Sequence, residues 1–270
     1  MVDAFLTYGF LQRALLAGVF VAIACAVLGV FLILRRDAMI GHGLAHVTFA
    51  GVALGLFLKV MPLLAALVIA VLTALGIMKI KEKAGLYGDT AIAIFSSTGF
   101  AVGLLLVTLA RSYNVDLFSY LFGEILAIKA TEVWLSIGLA TVVVVAVIFN
   151  YHKFMYTTFD RQSARASGIH VARLDVLITT LTAVTVVLGM KIVGLLLVAA
   201  LIVIPAAAGL QLASSFKQAI FVSTFVALVS VVLGLILAYF FDVPASWAIV
   251  VLSFVIFSLF LLIKKEKRLW

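Results

Sequence analysis

Long stretches without a single Asp, Glu, Lys or Arg dominate this chain. Read from one charge to the next, nine runs appear: 14–34, 38–58, 60–78, 90–110, 133–151, 176–190, 192–216, 218–241 and 243–263. A helix rising ~1.5 Å per residue needs about 20 apolar residues to cross a hydrocarbon core of ~30 Å. The expected fold is therefore all-α: a polytopic membrane bundle of eight or nine transmembrane helices, forming one domain over residues 1–270. The sixth run, 176–190, is the shortest and needs either the preceding loop or a locally thin site. Segment 117–128 is apolar but too short to cross, and it holds Glu124. It reads as re-entrant or interfacial.

Composition agrees with the runs. The chain is 66% hydrophobic and 11% charged, against roughly 45–50% and about 25% in soluble domains. These values exclude a soluble enzyme, a disordered chain and a disulfide scaffold, since Cys25 is the only cysteine. A net charge of +8 would suggest nucleic acid as partner of a soluble domain. Here the basic residues flank apolar runs, as they do when they set orientation and meet anionic headgroups. The lipid bilayer is the expected partner, and nucleic acid is not. With the C-terminus placed inside, the outer connections hold Arg13, Lys59, Arg111, Lys129 and Lys191, leaving 14 of the 19 basic residues inside. A cytoplasmic C-terminus follows from that asymmetry.

The sharpest chemical signal is GHGLAH at 41–46. On a helix His42 and His46 face the same way, with Cβ atoms ~5–6 Å apart, a spacing that suits two imidazoles on one metal ion. Counted from Asp37, His46 lies about 13–14 Å in, near the bilayer midplane. Ionisable groups at that depth usually face a cavity or pathway. A neutral histidine can also serve as a helix-packing hydrogen bonder. Gly51 and Gly55, on roughly the opposite face, allow a neighbouring backbone to approach closely. Neutral imidazole favours first-row transition metals such as Zn²⁺ over Mg²⁺ or Ca²⁺.

Two ligands do not close a site. Asp116 and Glu124, flanking the short outer segment, are candidates to attract or pass on a cation, or are simply solvated at the interface. Asp89 is expected to cap the helix that begins at Thr90. Residues 152–175 form the largest inner element. Within it, 160–167 has good helix formers and stops at Gly168, a reasonable C-terminal cap. It reads as a surface loop or as a short helix that docks on a partner. His152 and His170 in this element are expected to be solvated. The chain has no G-x-x-x-x-G-K-[S/T] stretch to cradle a nucleotide and no hydrolase signature. It is not expected to be an enzyme, and energy for uphill transport would come from a partner or a coupled ion.

The ordered segments RRDAMIGHGLAHVTFAGVALG, GDTAIAI, VDLFSYLFGEILAI, the 160–175 element and KIVGLLLVAALIVIPAAA resemble the permease subunits of bacterial zinc/manganese ABC importers. The likeness runs from about Phe10 to Ile263. It implies a homodimer in the bacterial cytoplasmic membrane. It also implies two cytoplasmic ATP-binding subunits, and an extracytoplasmic binding protein that delivers the metal. No cofactor is permanently bound; Zn²⁺ or Mn²⁺ passes through. His46 matches the family's motif histidine, and His42 stands where many members carry Asp. An N,N pair leans towards Zn²⁺. The 160–175 element matches the family's coupling segment, which places Arg161, Ala164, Gly168 and Ile169 near the ATPase.

The expected mechanism is alternating access with metal held briefly by His42 and His46. Three alternatives stay open at this point. Manganese or iron(II) could be the cargo, the histidines could titrate in an ion-coupled carrier, or the cargo could be a chelate such as cobalamin. An intramembrane metalloenzyme would need a general base near the pair, and none is evident.

Overall fold

The computed structural model describes residues 9–83, 88–109, 121, 123, 130–190 and 194–267. Its helices are α1 (Gly9–Leu34), α2 (Met39–Phe57), α3 (Pro62–Lys83), α4 (Gly88–Leu109), α5 (Ala130–Phe149) and α6 (Tyr151–Phe159). They continue as α7 (Arg161–Ala166), α8 (Val171–Gly189), α9 (Leu195–Leu212), α10 (Phe216–Phe241) and α11 (Ala245–Lys267). Eight of them are long and apolar enough to cross a membrane: α1 to α5, α8, α10 and α11. The ninth apolar helix, α9, is shorter, and its 18 residues reach only about 27 Å. Gln211, near its end, accepts a hydrogen bond from Lys264 Nζ of α11 at 3.0 Å. The C-terminal ends of α9 and α11 therefore lie at the same end of the bundle.

Four sequence expectations change here. The run 192–216 is not one helix, because α9 stops at Leu212 and Phe216 already belongs to α10. Ser215 caps α10 by accepting from the Gln218 amide, while the Gln218 side chain accepts from the Ser214 amide and hydroxyl at 2.9 and 2.7 Å. This is close to the reciprocal S-x-x-Q capping arrangement. The run 176–190 is longer than its charge-free length suggested, since α8 begins at Val171 and carries Arg173 and Asp175 inside it. In addition, most of 152–175 is helical rather than loop. α6 continues beyond α5 after a break at Asn150, and α7 follows at once. The expected Asp89 cap is the fourth change: Asp89 lies inside the first turn of α4, which starts at Gly88 and not at Thr90. There its charge complements the positive end of the helix.

The core runs along the bundle axis. α1 and α2 are mostly buried, whereas α4 and α11 leave most of their length on the outside. Phe31 of α1 meets Phe154 of α6 and Phe216 of α10, with ring centroids 5.7 and 5.1 Å apart. These contacts pin the α6–α7 end onto the main bundle.

Candidate metal site and the charged end of the bundle

α2 is wedged between α3 and α4, and small residues make that possible. A Cβ at Gly51 would lie 2.6 Å from Ala66 Cα, and one at Gly55 would lie 2.7 Å from Pro62 Cα. No side chain fits at such distances, so α3 approaches α2 backbone to backbone. On the α4 side, a Cβ at Gly99 would meet Val47 Cα at 2.9 Å.

This packing presents the two histidines together. Their Nε2 atoms are 3.2 Å apart, and the rings stand nearly perpendicular with centroids 4.7 Å apart. Two imidazoles bound to one tetrahedral Zn²⁺ at ~2.0–2.1 Å bring their nitrogens to ~3.3 Å of each other. The pair thus already has the bite that one metal ion requires. Phe100 of α4 stands edge-on to His46 at 5.2 Å and is itself stacked near Phe49 at 5.5 Å, which holds the His46 ring in place. His46 is two residues from Thr48, the middle of α2, hence about 3 Å from the helix centre. His42 sits in the first turn and is exposed, while His46 is half-buried. Among the described residues no third His, Cys, Asp or Glu joins them. Asp116 and Glu124 lie outside the described residues.

One turn of chain before α2 lies a second polar centre. Asp175 of α8, buried, is bonded through Oδ1 by Arg35 and through Oδ2 by Arg161. Beside it, Lys81 of α3 donates to Asp37 at 2.8 Å. The Arg35 side chain is 2% exposed. Burial pushes its pKa down to about 10, with the nearby Arg161 charge adding to the fall and Asp37 opposing it. Asp175 was not among the candidates from sequence. Its only signal was a carboxylate at the edge of an apolar run in a strongly basic region, and nothing local indicates its partners.

Arg161 opens α7, a short helix closed at both ends. Asp160 accepts from the Ser163 amide at 2.9 Å and from its hydroxyl at 2.5 Å. Those bonds hold the Asp160 carboxyl below its ordinary range. At the other end the Gly168 amide donates to Arg165 O and the Ile169 amide to Ala164 O, both at 3.0 Å. Gly168 has φ +82°. This is a complete Schellman stop, which needs a left-handed residue at that position. Ala164 is fully buried, Ile169 partly buried, and Arg161 and Gly168 exposed. His152 and His170 are exposed as well. Next to the stop lies an open hollow of about 600 Å³, lined by residues that include Arg165, Gly168, Ile169 and Arg173.

Comparison with known proteins agrees with this arrangement. The model of the ABC 3 transport family matches residues 7–264. The chain belongs to that family. It is a multi-pass membrane protein, the non-catalytic permease component of an ABC transporter. It is 32% identical over 267 residues to the manganese transport system membrane protein MntC of Listeria innocua, covering 99% of this chain and 95% of the relative. It is 33% identical over 255 residues to the high-affinity zinc uptake system membrane protein ZnuB of Haemophilus influenzae, covering 94% and 97%. Among solved structures, PsaBC from Streptococcus pneumoniae in complex with Fab superposes with a TM-score of 0.87 at 33% identity, over 96% of this chain and 93% of that one.

Proposed function

We propose that this chain is the membrane-spanning subunit of an ATP-driven importer of a divalent transition metal, with Zn²⁺ as the preferred cargo. The observation that carries the reading is the 3.2 Å convergence of His42 and His46 Nε2 on a membrane-length helix, with His46 near its middle. An imidazole pair on a buried helix costs free energy that a passing cation offsets, and nitrogen ligands favour zinc over manganese. Two ligands make a resting place rather than a permanent site, which suits a cargo that must leave again. His42 is exposed on the surface of the single chain. In a homodimer related by a two-fold axis, a second copy could bring its own pair and complete a tetrahedron. Asp116 and Glu124 remain the carboxylates that would feed the site.

In this reading two cytoplasmic ATP-binding subunits meet α7 and its stop through Arg161, Gly168 and Ile169, whereas Ala164, expected as a contact, is buried and packs α7 onto the bundle instead. An extracytoplasmic protein delivers the metal, and the C-terminus is cytoplasmic. ATP binding and hydrolysis move α7, and the bundle alternates between outward and inward access.

The test is uptake by the complex reconstituted with its ATP-binding and metal-binding partners, using matched free-ion buffers. Zn²⁺ is expected to saturate uptake at a lower free concentration than Mn²⁺ or Fe²⁺, and only with ATP. Preference for Mn²⁺, the cargo named for the Listeria relative, would reverse the zinc assignment and keep the permease. Uptake driven by an ion gradient without the ATP-binding subunits would replace the whole reading with a coupled carrier.

A further inference from the structure

We propose that Asp175 is a positioning residue that ties the coupling segment to the histidine-bearing helix, holding Arg161 with one carboxylate oxygen and Arg35 with the other. The inference rests on the reading of α7 as the point where the ATP-binding subunits push. It adds where that push goes.

The two arms are short and stiff. Arg161 is the first residue of α7, whose ends are closed by the Asp160 cap and the Gly168 stop. A displaced α7 therefore carries Arg161 with it instead of fraying. On the other arm, Arg35 stands directly after α1 and four residues before the start of α2. The turn between them is hydrogen-bonded throughout: Arg36 to Ile33 O at 3.0 Å, Asp37 to Leu32 O at 2.8 Å and Ile40 to Asp37 O at 3.0 Å. Arg36 takes the left-handed conformation at φ 60°, and Lys81 fastens Asp37 to α3. A turn with so little slack passes a shift of Arg35 to the first turn of α2, where His42 sits.

Burial makes the link hard to break by parts. Removing one partner from a buried ion pair strands the other charge in a medium that solvates it poorly. Motion of α7 alone would leave Asp175 facing Arg35 with one oxygen unpaired. Arg35 Nε and Nη1 are buried and without a hydrogen-bond partner among the described residues. Those idle donors offer a second arrangement. A guanidinium can take both oxygens of one carboxylate in a fork. When Arg161, the more exposed arm at 42%, swings out with α7, Arg35 must therefore turn to take the freed oxygen, and that turn is what reaches the start of α2. The centre then has two discrete states that the coupling segment and the α2 turn both bias, which is what transmission between distant sites requires.

The experiment measures ATP hydrolysis and metal uptake together in the reconstituted complex, for wild type, Asp175→Asn, Asp175→Glu, Arg161→Gln and the double variant Asp175→Asn/Arg161→Gln. Spin labels on Ser163 and on Met39 report nucleotide-dependent motion at the two arms. For Asp175→Asn, hydrolysis is expected to persist while ions moved per ATP fall about tenfold. Ser163 should still respond to nucleotide while Met39 no longer does. Asp175→Glu should restore much of the ratio. The double variant should be no worse than the worse single one, because both remove the same contact. Unchanged transport per ATP in Asp175→Asn, or strictly additive losses, overturns the inference and leaves the importer reading intact. If Asp175→Asn does not insert, Arg161→Gln decides, because it spares the buried Arg35–Asp175 pair: retained coupling overturns the link and lost coupling supports it. Absence of ATP-dependent uptake in wild type is a different result. It removes the function proposed above and this link with it.

Discussion

The two polar centres of this bundle are solved in opposite ways. At His42 and His46 two imidazole rings converge 3.2 Å apart with one exposed, one half-buried and no further His, Cys, Asp or Glu beside them among the described residues. At Asp175 of α8 a buried carboxylate is held by Arg35, just before α2, and by the more exposed Arg161, from two separate elements. The first centre is left chemically hungry and the second is mostly fed. A site through which a cation must pass cannot be saturated by its own protein, whereas a joint that must carry displacement cannot be left loose. In the proposed reading, transport and mechanics therefore rest on different chemistry at two centres joined through the turn before α2.

That contrast predicts which measurements respond to which substitution. The largest effect belongs to His46→Ala. Uptake should fall by at least the about 100-fold that marks the upper range for losing a mere outer-shell partner, while thermal unfolding of the solubilised complex stays where it was. A large drop in stability would make His46 a packing residue and erase the contrast. Next comes Arg35→Met, which leaves Asp175 with the exposed arm alone. It should cost about 3 kcal/mol of stability, read by denaturation in detergent, so the two centres should exchange signatures.

Gly51→Val tests the frame that holds both. Its Cβ would fall 2.6 Å from Ala66 Cα, and overpacking of this kind costs about 1–3 kcal/mol. Metal titration of the same variant should show weaker binding as α2 is pushed off α3. Ser215→Ala, which touches neither centre's hydrogen bonds, removes only the α10 cap and should cost about 1 kcal/mol with uptake unchanged.

The smallest effect is one of pH. The Asp160 carboxyl is held below its ordinary value of 3.8 by the Ser163 hydroxyl and amide. A depressed folded-state value means that the cap is fully present above pH 3.8 and is lost only as pH falls through the lower folded value. Hydrogen exchange at the Ser163 amide should therefore stay protected down to pH 3.8 and rise below it. Asp160→Asn should flatten that profile.

How much of this was readable in advance differs from element to element. The His42–His46 spacing is a local fact of helical geometry, so four residues of sequence suffice to put the rings on one face. The α7 segment was partly legible, because helix formers over 160–167 and a stop at Gly168 are local signals, whereas the cap at Asp160 emerged only in the structure. Helix boundaries taken from charges were not. α8 runs through Asp175, and the charge there does not end the helix because two arginines neutralise it. The break between α9 and α10 escaped a hydropathy reading as well. Ser214, Ser215 and Gln218 provide it through hydrogen bonds, which hydropathy does not register.

Sequence alone therefore settled the membrane class, the approximate set of helices and the shared face of His42 and His46, because apolar length and helical period act over one to a few turns. Tertiary structure decided which charges meet and which ring braces His46. Arg35 and Asp175 are 140 residues apart, and Phe100 reaches His46 from another helix. Those partnerships depend on the order in which helices pack around one another. Small residues such as Gly51 and Gly99 set that order by how closely they let backbones approach, and their effect appears only once the neighbouring helix is in place.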